Sequence, residues 1–188
     1  SFMLNTLEQR EDVIINLSTN NADEVSIGSS SIIFSSGNWN IPKTITLTGQ
    51  NDDIDDDNQG YNIILSAIIS GDGSYSGMDV PDVSGTNQDN DTAAVYVSSL
   101  GSLVTSEASA STAAFTVVLG SQPTSTVEVQ VVSQDTSEGT VDVSSVVFNA
   151  VNWSDPVTVE VQPVDDDVDD DDVSYTISLG APITSDPK

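Results

Sequence analysis

A chain of 188 residues, 37% apolar, with three basic side chains against thirty acidic ones and a net charge of −27, has room for one or two domains. It is a poor partner for nucleic acid or anionic membrane, because both are gripped by Lys and Arg. It contains no Cys and no His, which removes disulfides, thiolate metal sites, Ser-His-Asp triads and ordinary zinc or haem sites.

No apolar run approaches the roughly 18 residues of a membrane span, so no membrane insertion is expected. Ser1-Phe2-Met3-Leu4 lacks the basic region and apolar length of a signal peptide. Acidity of this degree often accompanies disorder. Here β-branched residues alternate with Ser, Thr, Asn and Asp, the pattern of a folded β protein.

In chain order, Val13, Ile15 and Leu17 alternate as one face of a strand, and Ser31 to Phe34 is a second strand. Gly37-Asn38-Trp39-Asn40-Ile41-Pro42 reads as a turn, with Pro42 restricting the residue before it. Ile45 and Leu47 lead into the acidic run Asp52-Asp53-Ile54-Asp55-Asp56-Asp57, and Tyr61, Ile63 and Leu65 alternate after it. Gly71-Asp72-Gly73 and Gly77 mark loops.

Val95 and Val97 open a second series. Phe115, Val117 and Leu119 alternate, and Gly120-Ser121-Gln122-Pro123 turns the chain. Val127, Val129 and Val131 form the next face, followed by Val141 and Val143 and by Val146 to Phe148. Val157, Val159 and Val161 enter Pro163 and a second acidic run, Asp165 to Asp172, before Tyr175 to Leu179.

These two series are one module repeated. Trp39 and Trp153 lie 114 residues apart, and the same offset pairs Phe34 with Phe148, Pro42 with Pro156, Asp52 with Asp166, Tyr61 with Tyr175, Ile63 with Ile177 and Leu65 with Leu179. No gap is needed from Val13/Val127 to Asp72/Asp186. About seven short strands per roughly 110 residues is the signature of an immunoglobulin-like antiparallel β-sandwich.

The fold expected is therefore all-β, with two tandem sandwiches over residues 1–91 and 92–188. The first is expected to lack its N-terminal strand and the second its C-terminal strand, as in a window on a longer array. Trp39 and Trp153 are expected to be packing anchors at a strand corner; a carbohydrate-stacking platform is the other reading.

The acidic runs are the chemical feature. Like charges 4 Å apart repel by about 1 kcal/mol in bulk water and roughly 4 kcal/mol near a protein surface. Each run is therefore either spread in solvent or neutralised by a cation. Ca²⁺ takes six to eight oxygen ligands, and the short Asp side chain lets neighbours converge on one ion. Neither run has the D-x-[DN]-x-[DN]-G pattern of an EF-hand, so a cation here would be held by loops at the end of a sandwich.

Val104-Thr105-Ser106-Glu107, Phe115 to Leu119, Val146-Val147-Phe148, the run from Asp165 to Asp170 and Tyr175-Thr176-Ile177-Ser178-Leu179 together resemble a Calx-beta domain. The Phe-x-x-x-Asn-Trp-x-x-Pro variant is similar to repeats of very large bacterial adhesins. The resemblance spans essentially the whole chain as two incomplete modules. It implies a seven-stranded sandwich binding Ca²⁺ at one end.

In the first copy the implied ligands are Glu24, Asp52, Asp53 and Asp56, with Asp89 and Asp91 from the exit segment. In the second they are Glu107, Glu138, Asp165, Asp166, Asp167 and Asp170. The family's Asp-Tyr pair ahead of the middle strands is not evident here. A Ca²⁺ held by Asp52, Asp53, Asp89 and Asp91 is expected to stiffen the junction between modules.

The function expected is a non-catalytic, Ca²⁺-binding extender repeat of a secreted or surface-attached bacterial adhesin. Its partners would be neighbouring repeats of the same chain, with a cell-surface or carbohydrate ligand elsewhere in the full protein. The alternative is a module that itself grips a carbohydrate or protein through Ca²⁺. A hydrolase is disfavoured, because glycosidase chemistry needs two carboxyls across a cleft and adjacent Asp on one loop do not provide it.

Overall fold

The computed structural model describes residues 11–101, 103–107, 111–168 and 171–188. Among these residues every regular element is a β-strand, and every strand pairing is antiparallel. The chain forms two compact units. One comprises Ser1–Asp52 with Asp57–Asp89, and the other Asp53–Asp56 with Asn90–Lys188.

In the first unit, β1 (Val13–Thr19) carries Val13, Ile15 and Leu17 inward while Asn16 and Ser18 face solvent. This is the two-residue period of a half-buried strand. The sheet runs β3 (Ser31–Phe34), β1, β5 (Gln59–Leu65), β7 (Val83–Asn87), and β6 (Ile69–Ser70) continues along β1 beside β5. A short pair, β2 (Val25–Ile27) with β4 (Leu47–Gly49), is separate from that sheet. Val13, Ile15, Val25, Ile32, Phe34, Ile63, Leu65, Ile68 and Tyr75 close the core, with Leu47 packed against it.

The second unit shows two four-stranded sheets. One is β12 (Ser145–Phe148), β10 (Val127–Ser133) and β14 (Ile177–Leu179), with β15 (Ile183–Thr184) also on β10. The other is β11 (Gly139–Val141), β13 (Val157–Pro163), β9 (Ala113–Leu119) and β8 (Val95–Ser99). Phe115, Val117 and Val159 from one sheet meet Val129, Val131 and Phe148 from the other in a single core. This is a sandwich-like packing.

The sequence repeat is a repeat of register. Val13 pairs with Phe34 as Val127 does with Phe148, Leu17 with Leu65 as Val131 with Leu179, and Val25 with Gly49 as Gly139 with Pro163. The turns recur too. Asn38 Oδ1 accepts the Ser35 N–H at 2.8 Å, and Asn152 Oδ1 accepts the Asn149 N–H at 2.7 Å. The Asn of each Asn-Trp pair therefore makes the corner.

Some strands differ from expectation. The segment at Tyr175 becomes a strand only from Ile177, and that at Ile45 only from Leu47. Val97 is 52% exposed, because β8 is the edge of its sheet. β7, with Val83 as its single large apolar residue, carries no alternating signal.

Candidate functional site

In the first unit, the starts and ends of several strands bring polar groups together. Glu24 immediately precedes β2 and is only 8% exposed. Its Oε2 accepts from Asn87 Nδ2 at 3.0 Å, and the same amide donates to the Gln50 carbonyl at 2.6 Å. Asn87 ends β7, and Gln50 follows β4, whose ladder is extended by the Gln50 N–H donating to the Glu24 carbonyl at 3.0 Å. One side-chain amide on β7 thus ties the end of the β2–β4 pair to the larger sheet.

Gly49 permits this approach: a Cβ there would run into the Asn87 amide oxygen. Two residues beyond Asn87, Asp89 Oδ2 accepts the Asp57 N–H at 3.0 Å, and the Asp89 N–H donates to Asn58 Oδ1 at 3.0 Å.

Asp57 has φ of 63°, and so does Asp171 at the equivalent place in the second copy. Asp is one of the few non-glycine residues that adopts this left-handed conformation readily. The two acidic loops therefore share a backbone turn as well as a composition.

The first acidic run is divided between the units: Asp52 and Asp57 belong to the first, and Asp53–Asp56 to the second. Within the second unit, the Asp53 carbonyl accepts from the Gln122 N–H at 2.6 Å, and Asp55 Oδ2 from the Ala93 N–H at 2.8 Å. Lys188 Nζ lies 3.8 Å from Asp55 Oδ1. Asp56 and Asp91 are half-buried.

Of the second-copy candidates, Asp165, Asp166 and Asp167 are exposed, and Asp166 Oδ1 accepts the Val168 N–H at 2.7 Å. Asp170 lies outside the described residues. The Glu138 carbonyl accepts from the Val164 N–H at 3.1 Å, the counterpart of the Glu24–Gln50 bond. Glu107 is exposed, beside a bridge between Ser106 and Ser111.

The donor set is made of oxygens alone, which suits a hard cation. Its placement is a looser fit. Among the described residues no group of three or more carboxylates is positioned to hold a metal ion. Several of the candidate carboxylates instead accept N–H groups, as Glu24, Asp89 and Asp166 do.

Two carboxylates with structural roles were not singled out from the sequence. Asp135 accepts the Ser137 hydroxyl, the Ser137 N–H and the Glu138 N–H; the hydroxyl is the largest influence, and together they hold its carboxyl below the usual range. Asp186 is the more extensive hub. Burial pushes its carboxyl up, but the Lys188 N–H, the Thr124 hydroxyl and the N–H groups of Thr124 and Ser125 outweigh this and hold it below the usual range. The Thr124 Oγ1 bond is 2.9 Å and the Lys188 N bond 3.1 Å. The signal available in the sequence was the Asp72/Asp186 match.

Trp153 packs against the second core, and its carbonyl accepts the Leu119 N–H at 3.1 Å. Trp39 is half-buried.

A scan against protein-family models finds no match to the chain, and a search of curated proteins finds none.

Proposed function

We propose that the chain is a non-catalytic structural repeat of an extracellular or bacterial-surface protein, Calx-beta-like in type, whose acidic loops take up Ca²⁺. Its role is that of an extender: immunoglobulin-like modules in tandem that hold other parts of a long adhesin apart. The observation that carries this reading is the coincidence of two repeats. The strand register recurs at 114 residues, and at the same offset an acidic run recurs around a left-handed Asp, Asp57 and Asp171.

Carboxylates crowded on a loop at net charge −27 gain from neutralisation, and an all-oxygen donor set selects a hard cation. Glu24, Asp52, Asp53, Asp56, Asp89 and Asp91 would serve the first run. Glu107, Glu138, Asp165, Asp166, Asp167 and Asp170 would serve the second. The packing of Trp153 on the core supports a spacer over a glycan-stacking platform.

Isothermal titration of the chain with CaCl₂ tests the reading. Saturable binding, weakened in Asp52→Asn/Asp89→Asn and in Asp165→Asn/Asp166→Asn variants that remain folded by circular dichroism, is the expected result. Heats no larger than those of buffer dilution, or binding indifferent to both double variants, would reject it.

A further inference from the structure

The outer face of the first unit's large sheet is apolar in its middle. Residues directly opposite each other in an antiparallel pair project from the same face. Ile14 lies between Ile33 on β3 and Ile69 on β6, so three isoleucines form a row across three strands. They point away from the core: Ile33 is 44% and Ile69 54% exposed, with Ile14 half-buried between them. Ile64, 41% exposed, lies opposite Ser18 on the same face.

That face also carries no charge. β1, β3, β5, β6 and β7 contain no Asp, Glu, Lys or Arg, and the outward residues beside the isoleucines include Asn16, Ser18 and Asn62. Carboxylates begin only beyond the strand ends, at Asp12 and Asp82. The second unit differs. Each of its two sheets has an exposed or half-buried glutamate on an inner strand, Glu128 on β10 and Glu160 on β13. Glu128 takes the place of Ile14, because Val147 and Ile183 lie opposite it.

We infer that the Ile33–Ile14–Ile69 face is a self-association surface, and that its occupant is the same face of a second copy of the chain. Charge selects this partner. Two chains of −27 each repel wherever carboxylates meet, and a cationic partner is drawn to the acidic loops. An uncharged apolar face meets its own copy without either penalty, and a two-fold contact sets the row against itself. The area sets the strength. At about 4.8 Å between strands and 3.3 Å per residue, four strands of β1's length offer roughly 400 Å² per copy. That is about half of what a stable interface buries on each side, so the dimer is weak and reversible. Salt should tighten it, because salt screens the repulsion between copies. This contact does not depend on Ca²⁺.

The test is sedimentation equilibrium of the whole chain in chelator, up to about 1 mM, at about 50 and about 500 mM NaCl. A monomer–dimer equilibrium that strengthens with salt is the expected result. Ile14→Glu should weaken it about tenfold or more. The substitution is compatible with the fold, since Glu128 already holds the same register position in the second unit. Val132→Glu, at an exposed position of β10, should leave the equilibrium unchanged. A monomer under every condition, dimers that survive Ile14→Glu, dimers equally weakened by Val132→Glu, or dissociation by salt would each overturn the inference.

Discussion

Replacing Asp186 by Ala isolates a carboxylate of the second unit that accepts four hydrogen bonds. Its Oδ2 receives the Thr124 N–H, the Thr124 hydroxyl and the Ser125 N–H, and its Oδ1 the Lys188 N–H. Each such bond contributes about 0.5–1.5 kcal/mol net. The group is only partly buried, so water replaces much of what is lost. An overall loss of about 1–2 kcal/mol follows, or roughly 5–10 °C in Tm for a unit of about 100 residues.

The equivalent Asp72 receives only the Ser74 N–H among the described residues, at 2.9 Å. Asp72→Ala should therefore cost less, about 0.5 kcal/mol. The pH dependence has a definite sign. A carboxyl whose pKa is depressed by folding stabilises the fold above its unfolded value, about 3.9. That stability is lost as pH falls through the lower folded value. The gap between native and Asp186→Ala melting temperatures should thus be full at pH 6 and narrow progressively below pH 4. A gap independent of pH, or an equal effect at Asp72, would refute the reasoning.

Further expectations concern packing and the polar tie in the first unit. Phe34 and Phe148 are 1% and 0% exposed at matching positions, so Phe→Ala at either should cost about 3–5 kcal/mol in urea unfolding followed by circular dichroism. Asn87→Ala withdraws the donor from a Glu24 carboxylate that is 8% exposed; a loss of about 1–3 kcal/mol is expected, measured by the same unfolding curve. Gly139→Ala places a Cβ against the Tyr175 ring, which also bonds Thr105 at 2.9 Å. A cost of about 1–3 kcal/mol, relieved in a Gly139→Ala/Tyr175→Ala double-mutant cycle, identifies the clash as the cause.

Strands whose side chains alternate cleanly were readable from the residues alone. Val13-Ile15-Leu17 and Val127-Val129-Val131 bury the expected faces, and the gapless offset carried the pairing of both copies. β7 was not readable. Its residues Val83-Ser84-Gly85-Thr86-Asn87 are chosen for what lies beside them: Gly85 sits under the Tyr61 ring, and Asn87 reaches Glu24 and the Gln50 carbonyl. Such choices have no period and appear only when distant segments meet.

The same holds for the acidic loops. Their composition is plain in the sequence, but Asp89 taking the Asp57 N–H joins residues 32 positions apart. Asp53–Asp56 grouping with the second unit likewise follows from contacts that charge patterning does not encode. The hub at Asp186 was hidden because its partners Thr124 and Ser125 lie more than 60 residues away.

Ca²⁺ uptake by the acidic loops is tested by thermal unfolding of the chain in chelator, in 10 mM MgCl₂ and in 10 mM CaCl₂ at equal ionic strength. Extracellular modules bind Ca²⁺ at about 10⁻⁴–10⁻³ M, so 10 mM should stabilise by about 1.4–2.7 kcal/mol per site. A Ca²⁺-selective rise of that size in Tm is expected. Identical melting curves in chelator and Ca²⁺, or an equal rise with Mg²⁺, would contradict it.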